Sequence, residues 1–102
     1  MVMVSKEEGN KLIEEFLGYS FGLSKEFDKN WNHLFAVIDI IESSPIRFEI
    51  KCMRNEYECN YFKAHIVSSE NCEVLASSVG TVRIDVAWNA VVEYIIRFNK
   101  GK

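Results

Sequence analysis

A chain of 102 residues that is 48% hydrophobic and 26% charged has the composition of one globular domain, which predicts a single domain over residues 1–102 with a short tail at 1–4. A formal net charge of −3 with scattered basic residues argues against a nucleic-acid partner. No apolar run approaches the ~20 residues that span a bilayer and the N-terminus lacks the pattern of a signal peptide, so we expect a cytoplasmic protein without a membrane partner.

Residues 5–18 are predicted to form the first helix. Ser5 with Glu8 three positions later is a capping-box pattern. Apolar side chains recur with the helical period on one face, and Gly9 falls on that same face, which indicates a close approach by another element. Gly18 is a natural C-cap.

The segment after this helix has no regular period and carries several apolar side chains. Such loop residues either tuck under the chain to cap the core or line a pocket or partner site, and we favour capping. The segment is nevertheless the best candidate binding loop in the chain. Its candidate residues are Tyr19, Phe21, Leu23 and Phe27.

A second helix is predicted over residues 28–43, with Asp28 as its N-cap and Pro45 shortly after its end. The helical period gives it one apolar face. We expect the buried side chains to be Trp31, Leu34, Phe35, Ile38 and Ile41.

From Ile46 onward the apolar period changes to two, which predicts a β-hairpin over residues 46–67. A two-residue turn would place Cys52 directly opposite Cys59. In the returning strand the apolar face switches between residues 61 and 62, as a β-bulge would cause. The segment 68–80 reads either as a short third strand near 72–76 or as a packed loop.

The last predicted helix covers residues 81–99. Its core stripe is Ile84, Ala87, Trp88, Val91, Ile95 and Phe98. Three aliphatic residues fall within polar arcs instead, and they form a candidate interface for a homodimer or higher homo-oligomer: Ile40 on the second helix, with Val86 and Ile96 on the third. Scattered exposed aliphatics without a function are the alternative.

Four stretches together resemble a known family: "NKLIEEFLG" (10–18), "WNHLFAVIDIIES" (31–43), "RFEIKC" (47–52) and "AWNAVVEYIIRFN" (87–99). They are similar to the phage ABA sandwich domain, found in small proteins encoded by phages and prophages. The resemblance implies helices on both sides of a small sheet and a phage or prophage origin. It implies no catalytic residues.

The residues that could carry chemistry do not form a recognisable motif. The three cysteines, Cys52, Cys59 and Cys72, lack the paired spacing of zinc sites, so we expect reduced thiols and no metal or other cofactor. No nucleophile elbow, phosphate-binding loop or dinucleotide fingerprint is present, which predicts no catalytic residue. The stripe of Asp85, Asn89 and Glu93 reads as a solvated helix face.

These observations predict an α+β fold: a small sandwich of helix, helix, β-hairpin with a possible third strand, and helix, with an antiparallel sheet. The function that fits best is that of a non-enzymatic phage or prophage accessory protein in the bacterial host cell. It would act by binding a host protein or by self-association. The alternatives are a protein that binds a small molecule, and an enzyme whose unrecognised site uses a cysteine or the Asp85 and Glu93 face.

Overall fold

A computed structural model of the chain describes residues 5–18, 27–43, 45–54 and 60–101. Its elements confirm the predicted α+β fold with an antiparallel sheet. In chain order they are α1 (Lys6–Leu17), α2 (Trp31–Glu42), β1 (Ile46–Arg54), β2 (Asn60–Ser68), β3 (Val74–Gly80) and α3 (Arg83–Lys100). None of the helices in these ranges is long and apolar enough to cross a membrane.

Helix α1 begins and ends where its sequence signals lie. The Ser5 hydroxyl oxygen accepts a hydrogen bond from the backbone N–H of Glu8 at 3.1 Å, which satisfies one of the free donors of the first turn. At the other end Gly18 adopts the left-handed conformation with φ 80°, and its N–H donates to the carbonyl of Glu15. Glycine is the residue that adopts this conformation at least cost.

Helix α2 begins later than predicted, because Asn30 rather than Asp28 is its N-cap. The Asn30 side-chain oxygen accepts from the N–H groups of Asn32 and His33 at 3.0 and 3.4 Å. Asp28 is instead buried before the helix, where it accepts a hydrogen bond from Asn10. The predicted N-cap was therefore wrong.

The three strands form an antiparallel meander in the order β1-β2-β3. Cys52 lies opposite Phe62, so the register is not the one that a two-residue turn would give, with Cys52 opposite Cys59. The strands are joined by residues 55–59, which lie outside the described residues. The register of β1 and β2 is continuous, so no bulge separates residues 61 and 62. The irregularity lies between Ile66 and Val67 where β2 pairs with β3.

The helices described here lie on one face of the sheet. Phe48 and Ile50 of β1, with Ala64 and Ile66 of β2, belong to one apolar cluster with the helices, and these alternate residues share one face. Helix α3 packs on β2 and β3, α2 packs on β1, and α1 packs against α3. The resemblance implied helices on both faces, and the described helices do not show that arrangement.

Helix α3 is buried over a wider arc than its predicted stripe. Ala87, Trp88, Val91 and Ile95 are buried as expected, and so are Val86, Ala90, Val92 and Tyr94. The arc is wide because the sheet covers one side of α3 and α1 covers another. Phe98, predicted in the core, is 43% exposed at the end of the helix.

Candidate binding cleft

An apolar cleft opens between α2 and β1, beside the first turn of α3. Its volume is about 400 Å³. The side chains that line it are Trp31 and Phe35 of α2, Phe48 and Ile50 of β1, and Arg83 of α3. We call it the aromatic cleft.

The wall of the aromatic cleft is a stacked pair of rings. Trp31 and Phe35 are four residues apart on α2 and therefore lie one above the other on the same helix face. Their ring centroids are 5.0 Å apart with an interplanar angle of 26°. Both were predicted to be core residues, but Trp31 is only half-buried and Phe35 is 49% exposed.

A signal for this exposure was present in the sequence. Leu34, Val37, Ile38 and Ile41 are the buried residues of α2, and they alone fill an arc wide enough to pack the helix on the core. Phe35 falls outside that arc. An aromatic residue that the packing of its own helix does not require is a candidate for contact with a partner.

The floor of the aromatic cleft is the edge of the sheet. Among the described residues β1 pairs only with β2, so its other side is open. The N–H of Phe48 points to this open side, where it donates to the Glu42 carboxylate at 3.4 Å. Because alternate residues of an antiparallel strand direct their N–H and C=O groups to the same side, those of Ile50 and Cys52 also face outward.

Of the four candidate residues in the predicted binding loop, one lies within the described residues. Tyr19, Phe21 and Leu23 lie outside the described residues. Phe27 is 1% exposed and makes an edge contact with the ring of His33, with 6.2 Å between ring centroids. Phe27 therefore caps the core and presents no surface to a ligand.

The three aliphatic residues of the candidate interface do not share one environment. Ile40 is 46% exposed on α2, as the hypothesis requires. Val86 is 1% exposed, so the prediction that it lies on the surface was wrong. It is buried because its side chain packs against Gly80, where an added Cβ would lie 3.0 Å from Val86 Cγ2. Ile96 is half-buried and packs against the core.

A second, polar cleft of about 450 Å³ lies beside α1. It is bordered by a hydrogen-bonded chain in which the indole N–H of Trp88 donates to Asn10 Oδ1 and Asn10 Nδ2 donates to Asp28 Oδ1, both at 2.9 Å. Lys6 donates to Asp85 at 3.1 Å and lies 4.2 Å from the centre of the Trp88 ring. These groups satisfy one another's hydrogen bonds, which is typical of a structural contact that holds α1 on α3.

The cysteines and histidines are not brought together as a site. Cys52 and Cys72 are exposed free thiols, and Cys59 lies outside the described residues. The buried Nδ1 atoms of His33 and His65 have no hydrogen-bond partner among the described residues, so neither atom is bonded to Cys52 or Cys72. Within the described ranges no group of three or more His, Cys, Asp or Glu residues could hold a metal ion.

The acidic stripe on α3 is open to water. Its first member, Asp85, pairs with Lys6 at 3.1 Å, and the two side chains are 43% and 47% exposed. Asn89 and Glu93 are exposed as well. The stripe is therefore a solvated helix face, as its spacing indicated.

No protein-family model, curated protein or solved structure matches this chain. The fold of the described residues defines the class: a small α+β domain in which α2 and α3 pack on a three-stranded antiparallel meander and α1 packs on α3, with an aromatic cleft at the edge of the sheet.

Proposed function

We propose that this protein is a non-enzymatic accessory protein of a phage or prophage, and that it acts in the cytoplasm of the bacterial host by binding a protein segment in the aromatic cleft. The observation that carries the proposal is the stacked Trp31 and Phe35 pair, which borders a cleft and leaves Phe35 half in water. The phage origin is supported by the resemblance of the four sequence stretches.

A bound partner would bury the surface of Trp31 and Phe35 that the isolated chain leaves in water. Burial of apolar surface is worth roughly 25 cal/mol per Å², and aromatic side chains contribute the largest areas. Aromatic residues and arginine also dominate the binding energy of protein interfaces. Trp31, Phe35 and Arg83 line one cleft, so the composition of the cleft is that of an interface centre.

The open strand edge favours an extended protein segment as the occupant. Such a segment can hydrogen-bond to the outward backbone groups of Ile50 and Cys52 while one of its apolar side chains enters the cleft. Backbone pairing gives affinity and the cleft gives specificity, so the two features work together only for a peptide chain.

A small molecule is the second candidate, and the size of the cleft favours it. Ligand pockets range over roughly 300–1,000 Å³, and the aromatic cleft has about 400 Å³. Its lining would suit a flat apolar carboxylate that stacks on Trp31 and pairs with Arg83. Native mass spectrometry of the purified protein tests this candidate: an added mass that is absent from Phe35→Ala would support it.

Photo-crosslinking in bacterial cells tests the protein-binding proposal. A photoreactive phenylalanine analogue at position 35 should give discrete protein-sized products, and a second change of Trp31→Ala should remove them. The control carries the analogue at Val79, which is 57% exposed on β3 and is separated from β1 by β2. Equal products at both positions, or none at position 35 in a folded protein, would contradict the proposal.

A further inference from the structure

We infer that the occupant of the aromatic cleft is a second copy of this chain, whose β1 adds antiparallel to the open edge of β1 about a two-fold axis through Ile50. The inference rests on the proposed function, because it names the partner of the same cleft. It follows from the directions of the backbone groups, the order of charges along β1 and the position of the exposed aromatic pair.

The sheet has two edges, and only one of them is continuous. Strand β3 is seven residues long, its register shifts beside Val67, and its Leu75 carbonyl already accepts a hydrogen bond from Arg97 at 3.4 Å. Such interruptions protect an edge against strand addition. Strand β1 has nine residues in continuous register, and within the described residues the only side chain bonded to its open edge is Glu42, at Phe48.

The outward backbone groups restrict the possible registers. Phe48, Ile50 and Cys52 present their N–H and C=O groups to the open side, so residues of this set must lie opposite residues of the same set in the second copy. An axis through Ile50 meets this condition. It places Ile50 opposite Ile50 of the second copy, and Phe48 opposite Cys52.

The charges on the other face of β1 select among the remaining registers. The axis through Ile50 places Glu49 opposite Lys51 of the second copy, and symmetry makes this attraction occur twice. An axis through Glu49 or through Lys51 would instead oppose identical charges. An axis through Phe48 would pair Arg47 with Glu49, but it would pair only residues 46–50 of the two strands, whereas the axis through Ile50 pairs all nine residues of β1. In either register the Phe48 N–H donates to the second copy in place of Glu42.

The same register accounts for an unfavourable pair within the chain. Lys51 lies directly opposite Lys63 of β2, and like charges at opposed positions destabilise a sheet. Glu49 of the second copy would lie on the other side of Lys51 and offset this repulsion. The position of Lys51 is therefore explained by the dimer and not by the single chain.

On the face of the sheet that carries the helices, the two copies also fit together in this arrangement. Paired strands lie about 4.8 Å apart, so the two copies of α2, each packed on its own β1, become neighbours across the axis. Phe35 and Trp31 face this junction from both copies. The result is a six-stranded sheet whose centre is covered by four aromatic side chains that are partly in water in the single chain.

Charge reversal at positions 49 and 51 tests this register. Sedimentation velocity should show a dimer for the wild type at about 100 µM, and the dissociation constant should rise about tenfold or more in Glu49→Lys and in Lys51→Glu, because each change turns two attractive pairs into repulsive ones. The double variant Glu49→Lys/Lys51→Glu should dimerise again. An equimolar mixture of the two single variants should form a heterodimer, since each then meets its opposite charge.

The control is Glu93→Lys, which makes the same change in net charge as Glu49→Lys at an exposed position of α3 and should leave dimerisation unchanged. Neither test substitution threatens the fold: Glu49 lies opposite His65, and Lys51→Glu creates an attractive pair with Lys63. A dimer indifferent to both reversals, or a wild type that stays monomeric, would overturn the inference. Crosslinking of position 35 to a different protein would then leave the proposed function standing, whereas its absence would remove both.

Discussion

At the scale of single residues, Gly9 explains how α1 docks. A Cβ at this position would overlap the six-membered ring of Trp88 and lie 3.2 Å from Val92 Cγ2. The glycine therefore lets the backbone of α1 approach α3 closely. Its placement among apolar residues predicted such an approach from sequence, but the identity of the partner ring could not be predicted, because Trp88 is distant along the chain.

The first prediction concerns Gly9→Ala. In an unhindered helix this change stabilises by about 1 kcal/mol, whereas overpacking a buried contact costs about 1–3 kcal/mol. Because the Trp88 ring is buried and cannot swing away, we expect a net loss of about 1 kcal/mol or more in the free energy of unfolding, measured in urea. Gly101→Ala, whose Cβ would meet only ordinary contacts, should be nearly neutral. A stabilised Gly9→Ala would contradict the close approach.

At the scale of elements, prediction succeeded where the signal was local. Both ends of α1 follow from a capping residue and a glycine that act within one turn. The start of α2 offered two capping residues, Asp28 and Asn30, and the choice was made by a hydrogen bond from Asn10 on another helix. Propensity cannot rank two good caps when a distant side chain binds one of them.

In the hairpin, too, the local signal located the elements but did not determine how they pair. Alternation located both strands, because a half-buried strand imposes a period of two. The register depended on the length of the connection, and apolar alternation is compatible with more than one length. The connection is three residues longer than a two-residue turn, which places Phe62 and not Cys59 opposite Cys52.

The aromatic cleft could be predicted only in part. The spacing of Trp31 and Phe35 placed them on one helix face, but the core was filled by other residues of α2 and the stacked pair was left at the strand edge. This outcome depends on the angle at which α2 crosses β1, which no local pattern determines.

The second prediction concerns the hydrogen-bonded contact that holds α1 on α3. In Asn10→Ala the Trp88 indole N–H and the buried Asp28 carboxylate both lose a partner, and unsatisfied buried groups cost about 1–3 kcal/mol. We expect the free energy of unfolding to fall by about that amount, with a shift of the Trp88 indole N–H resonance. Asn89→Ala, an exposed asparagine on α3, is the control and should change neither. Equal stability of the two variants would show that the chain of hydrogen bonds does not hold α1.

At the scale of the whole molecule, one core joins the six elements of the described ranges, and one end of this core is aromatic. Phe16, Tyr94 and Phe98 make edge and tilted contacts there, with ring centroids 5.5–6.3 Å apart. Tyr94 is the titratable member of this group, and it is 8% exposed. The fold therefore carries an ionisable group at one end of its core and the aromatic cleft at the sheet edge.

The last prediction concerns the alkaline stability of the whole fold. Burial raises the pKa of Tyr94 above its ordinary value of 10.0, because the phenolate is poorly solvated in the core. Below pH 10 the phenol is neutral in both states and has no effect on the pH dependence of stability. Above pH 10 the unfolded chain releases this proton while the folded chain retains it, so the free energy of unfolding decreases until the pH passes the pKa of the folded state.

In Tyr94→Phe this contribution is absent, whereas the other tyrosines and the lysines contribute to both proteins alike. Urea unfolding at intervals from about pH 8 to pH 11 should therefore give a constant difference between the two proteins up to about pH 10, and above it the wild type should lose stability relative to the variant by at most ~1.4 kcal/mol per pH unit. A difference that stays constant through pH 11 would mean that Tyr94 ionises as readily in the folded chain as in the unfolded one.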